Sequence, residues 1–168
     1  MSSQSRSKNQ LPTIGRNKTC VGCQKTKDES RFETTRGIRL NLCRRCRQAG
    51  KRKAISQSPY SYISHLYSHI GHKRRATHEF TIDREDLYRI FEKQKGLCAI
   101  TGVKMTHIKD GTGKSEKTMA NISIDRIDNY GPYSPENIHL VCYAVNIMKY
   151  THSMNEFIKW CKLVSKNN

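Results

Sequence analysis

The sequence has no apolar run approaching the roughly 18 residues needed to span a bilayer, and its mean hydropathy is −0.78. A membrane-spanning helix is therefore not expected. Met1 to Asn9 are Ser-rich and basic with no hydrophobic segment, so a secretory signal is not expected either. The expected location is intracellular, in cytoplasm or nucleus. No internal repeat or low-complexity tract appears, which removes solenoids and arrays. Acidic residues are scarce, with 14 Asp and Glu against 31 Lys and Arg in 168 residues, a formal net charge of +17. Such a chain repels itself and calls for a polyanionic partner, nucleic acid first.

The charge is unevenly placed. Residues 1–80 hold 18 basic and 4 acidic residues, a net of +14, and residues 81–168 the remaining 13 and 10, a net of +3. A binding half and a half whose chemistry needs acidic groups are expected. Residues 1–18 read as a disordered basic tail, 19–55 as a metal module, 56–82 as a connecting helix and basic linker, and 83–168 as a separate core.

Seven cysteines without a secretory signal argue against a disulfide framework. Cys20 and Cys23, then Cys43 and Cys46, form two CxxC pairs separated by 19 residues. That is the spacing of a four-cysteine zinc site, each tight turn supplying half a tetrahedron, with Gly22 easing the first turn. Arg44, Arg45, Arg47, Lys51, Arg52 and Lys53 give the second turn a basic face suited to phosphates. Cys98, Cys142 and Cys161 read as small buried residues.

Ser58 and Pro59 open a helix to about His72, with Ile63, Leu66, Tyr67 and Ile70 as its apolar stripe and Gly71 as its end. Lys73, Arg74 and Arg75 follow as a basic run for DNA. His65, His69 and His72 form a row read as facing solvent or phosphate rather than a second zinc. Asp83 caps the next helix, carrying Leu87, Ile90 and Phe91 and closed by Gly96. Strands are expected at 122–127 and 138–142 around a turn-rich stretch, then a helix over 143–150. A last helix, capped by Ser153 with Glu156, should bury Phe157, Trp160, Cys161 and Val164. Gly111 to Ser115 looks like a phosphate loop, but Ile108 stands where its first glycine belongs and no helix-forming run follows, so an NTPase is rejected.

Asp125, near the end of one strand, and Asn146, on the helix after the other, make an incomplete oxygen site suited to Mg²⁺ or Mn²⁺. Cys98 to Gly102, Ser123-Ile124-Asp125-Arg126-Ile127-Asp128, Glu136 to Cys142 and Asn146 to Lys149 together resemble the HNH family of ββα-metal nucleases over roughly residues 80–165. The resemblance implies an α+β fold: a small ββα-metal core with flanking helices beside an N-terminal zinc module. It implies that Asp125 and Asn146 hold a catalytic Mg²⁺ or Mn²⁺, that Asn137 braces the inter-strand loop, and that Lys149 neutralises a phosphate.

Arg126 departs from the pattern, standing where most of the family has its general-base His. A guanidinium cannot take a proton from water near pH 7. It would clamp phosphate while another group or a metal-bound hydroxide acts as base; His139 is one alternative, and a silent site another. The expected function is metal-dependent endonucleolytic hydrolysis of double-stranded DNA. The alternative is a zinc-dependent DNA-binding or regulatory protein with a catalytically silent core. RNA binding through Tyr60, Tyr62 and Tyr67 is weaker, because helical spacing favours packing for them. Cutting both strands takes two events, which a homodimer of single-site cores supplies. Restriction, viral and mobile-element roles share this architecture.

Overall fold

A computed structural model describes residues 15–110 and 118–168. Most of the expected basic tail, residues 1–14, and the phosphate-loop-like Gly111 to Ser115 lie outside the described residues. The fold mixes five helices with three two-stranded antiparallel sheets among those described. The chain divides into two compact units, residues 1–50 and 51–168.

In the first unit, β1 (Asn17–Thr19) pairs with β2 (Thr26–Asp28), and β3 (Phe32–Thr35) with β4 (Ile38–Cys43). Its buried apolar side chains are Cys20, Phe32 and Cys43, packed by Cys23 and Cys46. That is too little apolar surface to offset chain entropy without a crosslink or metal. Helix α1 (Arg44–Ile55) starts directly after Cys43 and contains the division between the units.

The second unit holds a larger core. Helix α2 (Pro59–Arg74) begins at Ser58, whose side chain accepts from Ser61 N. It runs three residues past Gly71, which is buried inside the helix rather than ending it. Arg75 explains the extension: its guanidinium lies over Tyr67 and Phe80 and donates to the Tyr67 hydroxyl at 2.6 Å, fastening the last turn. Helix α3 (Arg84–Lys93) opens with a reciprocal capping box between Asp83 and Asp86, and Leu87 enters the core. Gly96, with φ +71°, turns the chain beyond it.

Strands β5 (Ile122–Arg126) and β6 (Ile138–Cys142) form the central hairpin, with Asp125 opposite His139 and Ser123 opposite Val141. Ile122, Ile138, Leu140 and Cys142 pack on one face with Ile63, Leu87 and Phe157 in the same core. Helix α4 (Tyr143–Lys149) folds back on the hairpin, completing ββα, and α5 (Met154–Lys166) follows through a Ser153–Glu156 capping box.

The burial expected along α5 is corrected. On α5 only Phe157 is buried; Trp160 is 58% exposed, and Cys161 and Val164 also face solvent, because the helix extends beyond the core it is anchored to. Cys98 and Cys142 are buried, as small core residues should be, and Cys142 N donates to Cys98 Sγ at 3.3 Å.

Candidate active site and cysteine centre

The four sulfurs of Cys20, Cys23, Cys43 and Cys46 lie within 4.8 Å of one another. A tetrahedral zinc with bonds of about 2.3 Å sets its sulfurs about 3.8 Å apart, so the cluster fits a structural zinc module. Gly22 is required by proximity: a Cβ there would sit 2.8 Å from Leu42 Cδ2 and 3.2 Å from Cys46 Cβ. The left-handed residue of this turn is Gln24, at φ 54°.

Without a cation the thiols ionise unequally. A backbone hydrogen bond from Cys43 lowers Cys20 to about 6, and Cys43's side chain pushes Cys46 up to about 12. A dication removes that conflict by favouring every thiolate at once. Lys27 Nζ, which the sequence did not single out, donates to Cys43 Sγ at 3.2 Å and offsets part of the thiolate charge. Only the fold brings a residue of β2 against the second cysteine pair.

In the second unit, a cleft of about 1030 Å³ has Asp125, Arg126 and Asn146 in its lining, with His69, Lys73 and Arg74 of α2. Asp125 is 6% exposed and held from two sides. His139 Nε2 lies 2.8 Å from its Oδ2, and Lys149 Nζ lies 3.2 Å from Oδ2 and 3.3 Å from Oδ1. Asn146 donates through Nδ2 to Ser123 Oγ at 2.8 Å and Ile124 O at 3.1 Å. Its Oδ1 accepts no hydrogen bond from any described residue. One carboxylate and one uncommitted amide oxygen on the same cleft fit a hard divalent cation that keeps its other positions for water and phosphate.

Asn137 Oδ1 accepts from Asp128 N at 2.8 Å, and its Nδ2 donates to Asp128 O and Pro132 O. A Cβ at Gly131 would lie 2.7 Å from Asn137 Nδ2, so this loop closes only around glycine. Arg126 lies over the Tyr133 ring at 4.8 Å and donates from Nη1 to Gly131 O. Its remaining N–H groups are left for another acceptor.

The expected phosphate role of Lys149 is corrected. Lys149 is fully buried, and besides Asp125 it donates to Arg126 O at 3.0 Å and Asn129 Oδ1 at 2.9 Å. An ammonium has three protons, and all are used inside the protein. Arg47 is likewise paired, with Glu33, and Arg75 is stacked on Tyr67 and Phe80. Arg44, Arg45, Lys51 and Lys53 are exposed and Arg52 half-buried along α1. Tyr62 is buried, Tyr60 packs edge-on against Tyr88 and Tyr67 packs on Phe80, as helical spacing indicated.

No family model matches the chain, and no curated protein matches it. Among solved structures, the chain is similar to the rare-cutting HNH restriction endonuclease PacI, a structure reported for an extraordinary mechanism of DNA perturbation. The identity is 18% and the TM-score 0.42, covering 89% of this chain and 94% of that chain. No helix among the described residues is long and apolar enough to cross a membrane.

Proposed function

We propose that the protein is a metal-dependent endonuclease that hydrolyses DNA phosphodiester bonds at the Asp125–Asn146 cleft, with zinc in the cysteine unit. The observation that carries this reading is a carboxylate from β5 and a free amide oxygen from α4 lining one cleft with Arg126, Lys73 and Arg74. Asp125 and Asn146 Oδ1 hold a Mg²⁺ or Mn²⁺ ion. When bound, that ion supplies Lewis-acid stabilisation of charge on the scissile phosphate and leaving oxygen.

The chain's own residues do the rest. His139 and Lys149 fix the Asp125 carboxylate in one orientation. Asn137 holds the loop that carries Asp128 to Pro132, and Arg126 offers its free N–H groups to a phosphate oxygen. Lys73 and Arg74 draw the backbone into the cleft, and the exposed cations of α1 add contacts elsewhere on the duplex. His139 does not serve as the base in this scheme, because its Nε2 is committed to Asp125 and it does not line the cleft.

The test is conversion of supercoiled plasmid with added Mg²⁺ or Mn²⁺, with Asp125→Asn as control. Asparagine is chosen over alanine because it keeps the shape beside buried Lys149. Metal-dependent nicking or linearisation that the variant lacks is the expected result. Salt-sensitive DNA binding with no conversion in any metal would instead indicate a silent core.

A further inference from the structure

Two tyrosines stand apart from the rest. Tyr130 is 94% exposed and Tyr150 74% exposed, and both line the cleft that holds Asp125 and Asn146. Neither side chain has a hydrogen-bond or ring partner among the described residues. Tyr60, Tyr62, Tyr67, Tyr88 and Tyr133 are by contrast all packed or bonded, and Tyr143, which also lines the cleft, is half-buried. Their backbones, unlike their rings, are fixed. Tyr130 N donates to Asp128 Oδ1 at 3.0 Å inside the loop braced by Asn137. Tyr150 N donates to Asn146 O at 3.0 Å while its φ is 48° and ψ −117°, a conformation costly for a residue with a Cβ.

The two positions are also coupled to each other and to the carboxylate. Asn129, beside Tyr130, accepts from Lys149, beside Tyr150, and donates through Nδ2 to His152 O at 2.9 Å. The same lysine holds Asp125. One hydrogen-bonded frame therefore ties the backbones that carry both rings to the proposed metal ligand.

An unpartnered ring presented toward solvent contributes nothing to packing, and at Tyr150 the backbone that presents it is strained. In a cleft whose walls carry Lys73, Arg74 and Arg126, the complementary occupant is a nucleic-acid strand: phosphates on the cations, and a flat base on the rings. We propose that Tyr130 and Tyr150 form a stacking site for nucleobases displaced from the helical stack beside the scissile phosphate. This rests on the nuclease reading and deepens it, since the pair would hold DNA in a locally unstacked state.

The test compares affinities of the full-length, zinc-loaded chain for a mixed-sequence duplex and for the same duplex with one mismatched, already loosened base pair, without added Mg²⁺. The wild-type chain is expected to prefer the mismatched duplex. Tyr130→Ala and Tyr150→Ala should each weaken binding to it by about 5- to 150-fold, the range for losing one stacked base. They should erase the preference and leave the salt dependence unchanged, because no phosphate contact is removed. Phenylalanine at either position should restore binding. Lys73→Ala, in contrast, should flatten the salt dependence and keep the preference. Alanine variants that bind both duplexes like the wild type overturn the stacking site and leave the nuclease reading standing. A wild-type chain that binds neither duplex overturns both.

Discussion

The two units solve stability in opposite ways. Among the described residues, the cysteine unit buries three apolar side chains, two of them cysteines, whereas the hairpin unit buries fourteen. The first is specified by four sulfurs and one close glycine approach, an arrangement that fits a metal ion. The second has a core large enough to hold a carboxylate and a lysine inside it, at Asp125 and Lys149. A unit that stands on its own apolar core can carry a costly polar site; the small cysteine unit presents exposed charge, such as Arg44 and Arg45.

That contrast breaks most sharply at the sulfurs. Cys43→Ser should abolish stoichiometric zinc and unfold residues 15–50 while the hairpin unit keeps its structure, because structural zinc contributes about 10–16 kcal/mol in comparable small modules. Residue-resolved NMR with metal analysis reads both; a folded cysteine unit without metal would contradict the account. In the second unit the largest loss belongs to Lys149. Lys149→Met leaves the buried Asp125 charge with one cationic partner fewer, and should cost about 3–5 kcal/mol in denaturant unfolding. A loss below 1 kcal/mol (roughly the value of an exposed pair) would mean that the lysine is not enclosed.

Asn137→Ala should cost less, roughly 0.5–1.5 kcal/mol, since water can replace its exposed bonds to Asp128 and only the half-buried bond to Pro132 O is lost without ready replacement. It should lower cleavage together with stability, which plasmid conversion and the same unfolding measurement check in turn. The smallest effect is at the α3 capping box. The Asp83 backbone N–H holds the Asp86 carboxyl below its ordinary 3.8. A depressed carboxyl stabilises the fold above that value and ceases to do so as pH falls through the folded one. The thermal stability gap between wild type and Asp86→Ala should therefore be present at neutral pH and close in the window below 3.8.

How much of this the sequence reveals differs between the units as well. The CxxC spacing marks the cysteine cluster because two-residue turns are local, yet Lys27 reaches Cys43 from another strand and has no local signature. In the hairpin unit the caps at Ser58, Asp83 and Ser153 are legible, since a cap is a contact within three residues. Gly71 ended the expected helix because propensity is read before tertiary contacts, and Arg75 stacking on Tyr67 and Phe80 overrides it. Trp160 and Val164 look buried by periodicity, but periodicity gives a face and not the distance over which a core covers it. The family resemblance implies a phosphate contact at Lys149. Only the fold shows that β5, the loop at Asn129 and α4 converge on its ammonium.

The central claim is that Asp125 and Asn146 serve chemistry rather than affinity. Its most direct test measures plasmid cleavage and DNA affinity in parallel for the wild-type chain and Asn146→Asp, Asn146→Ala and Asp125→Asn. The account predicts that Asn146→Ala, which loses an oxygen ligand, and Asp125→Asn, which loses the site's negative charge, lose metal-dependent cleavage at nearly unchanged affinity, and that Asn146→Asp, which keeps both an oxygen ligand and the Asp125 charge, retains part of it. Cleavage that survives in Asn146→Ala and Asp125→Asn, or that falls only in step with affinity, would contradict it.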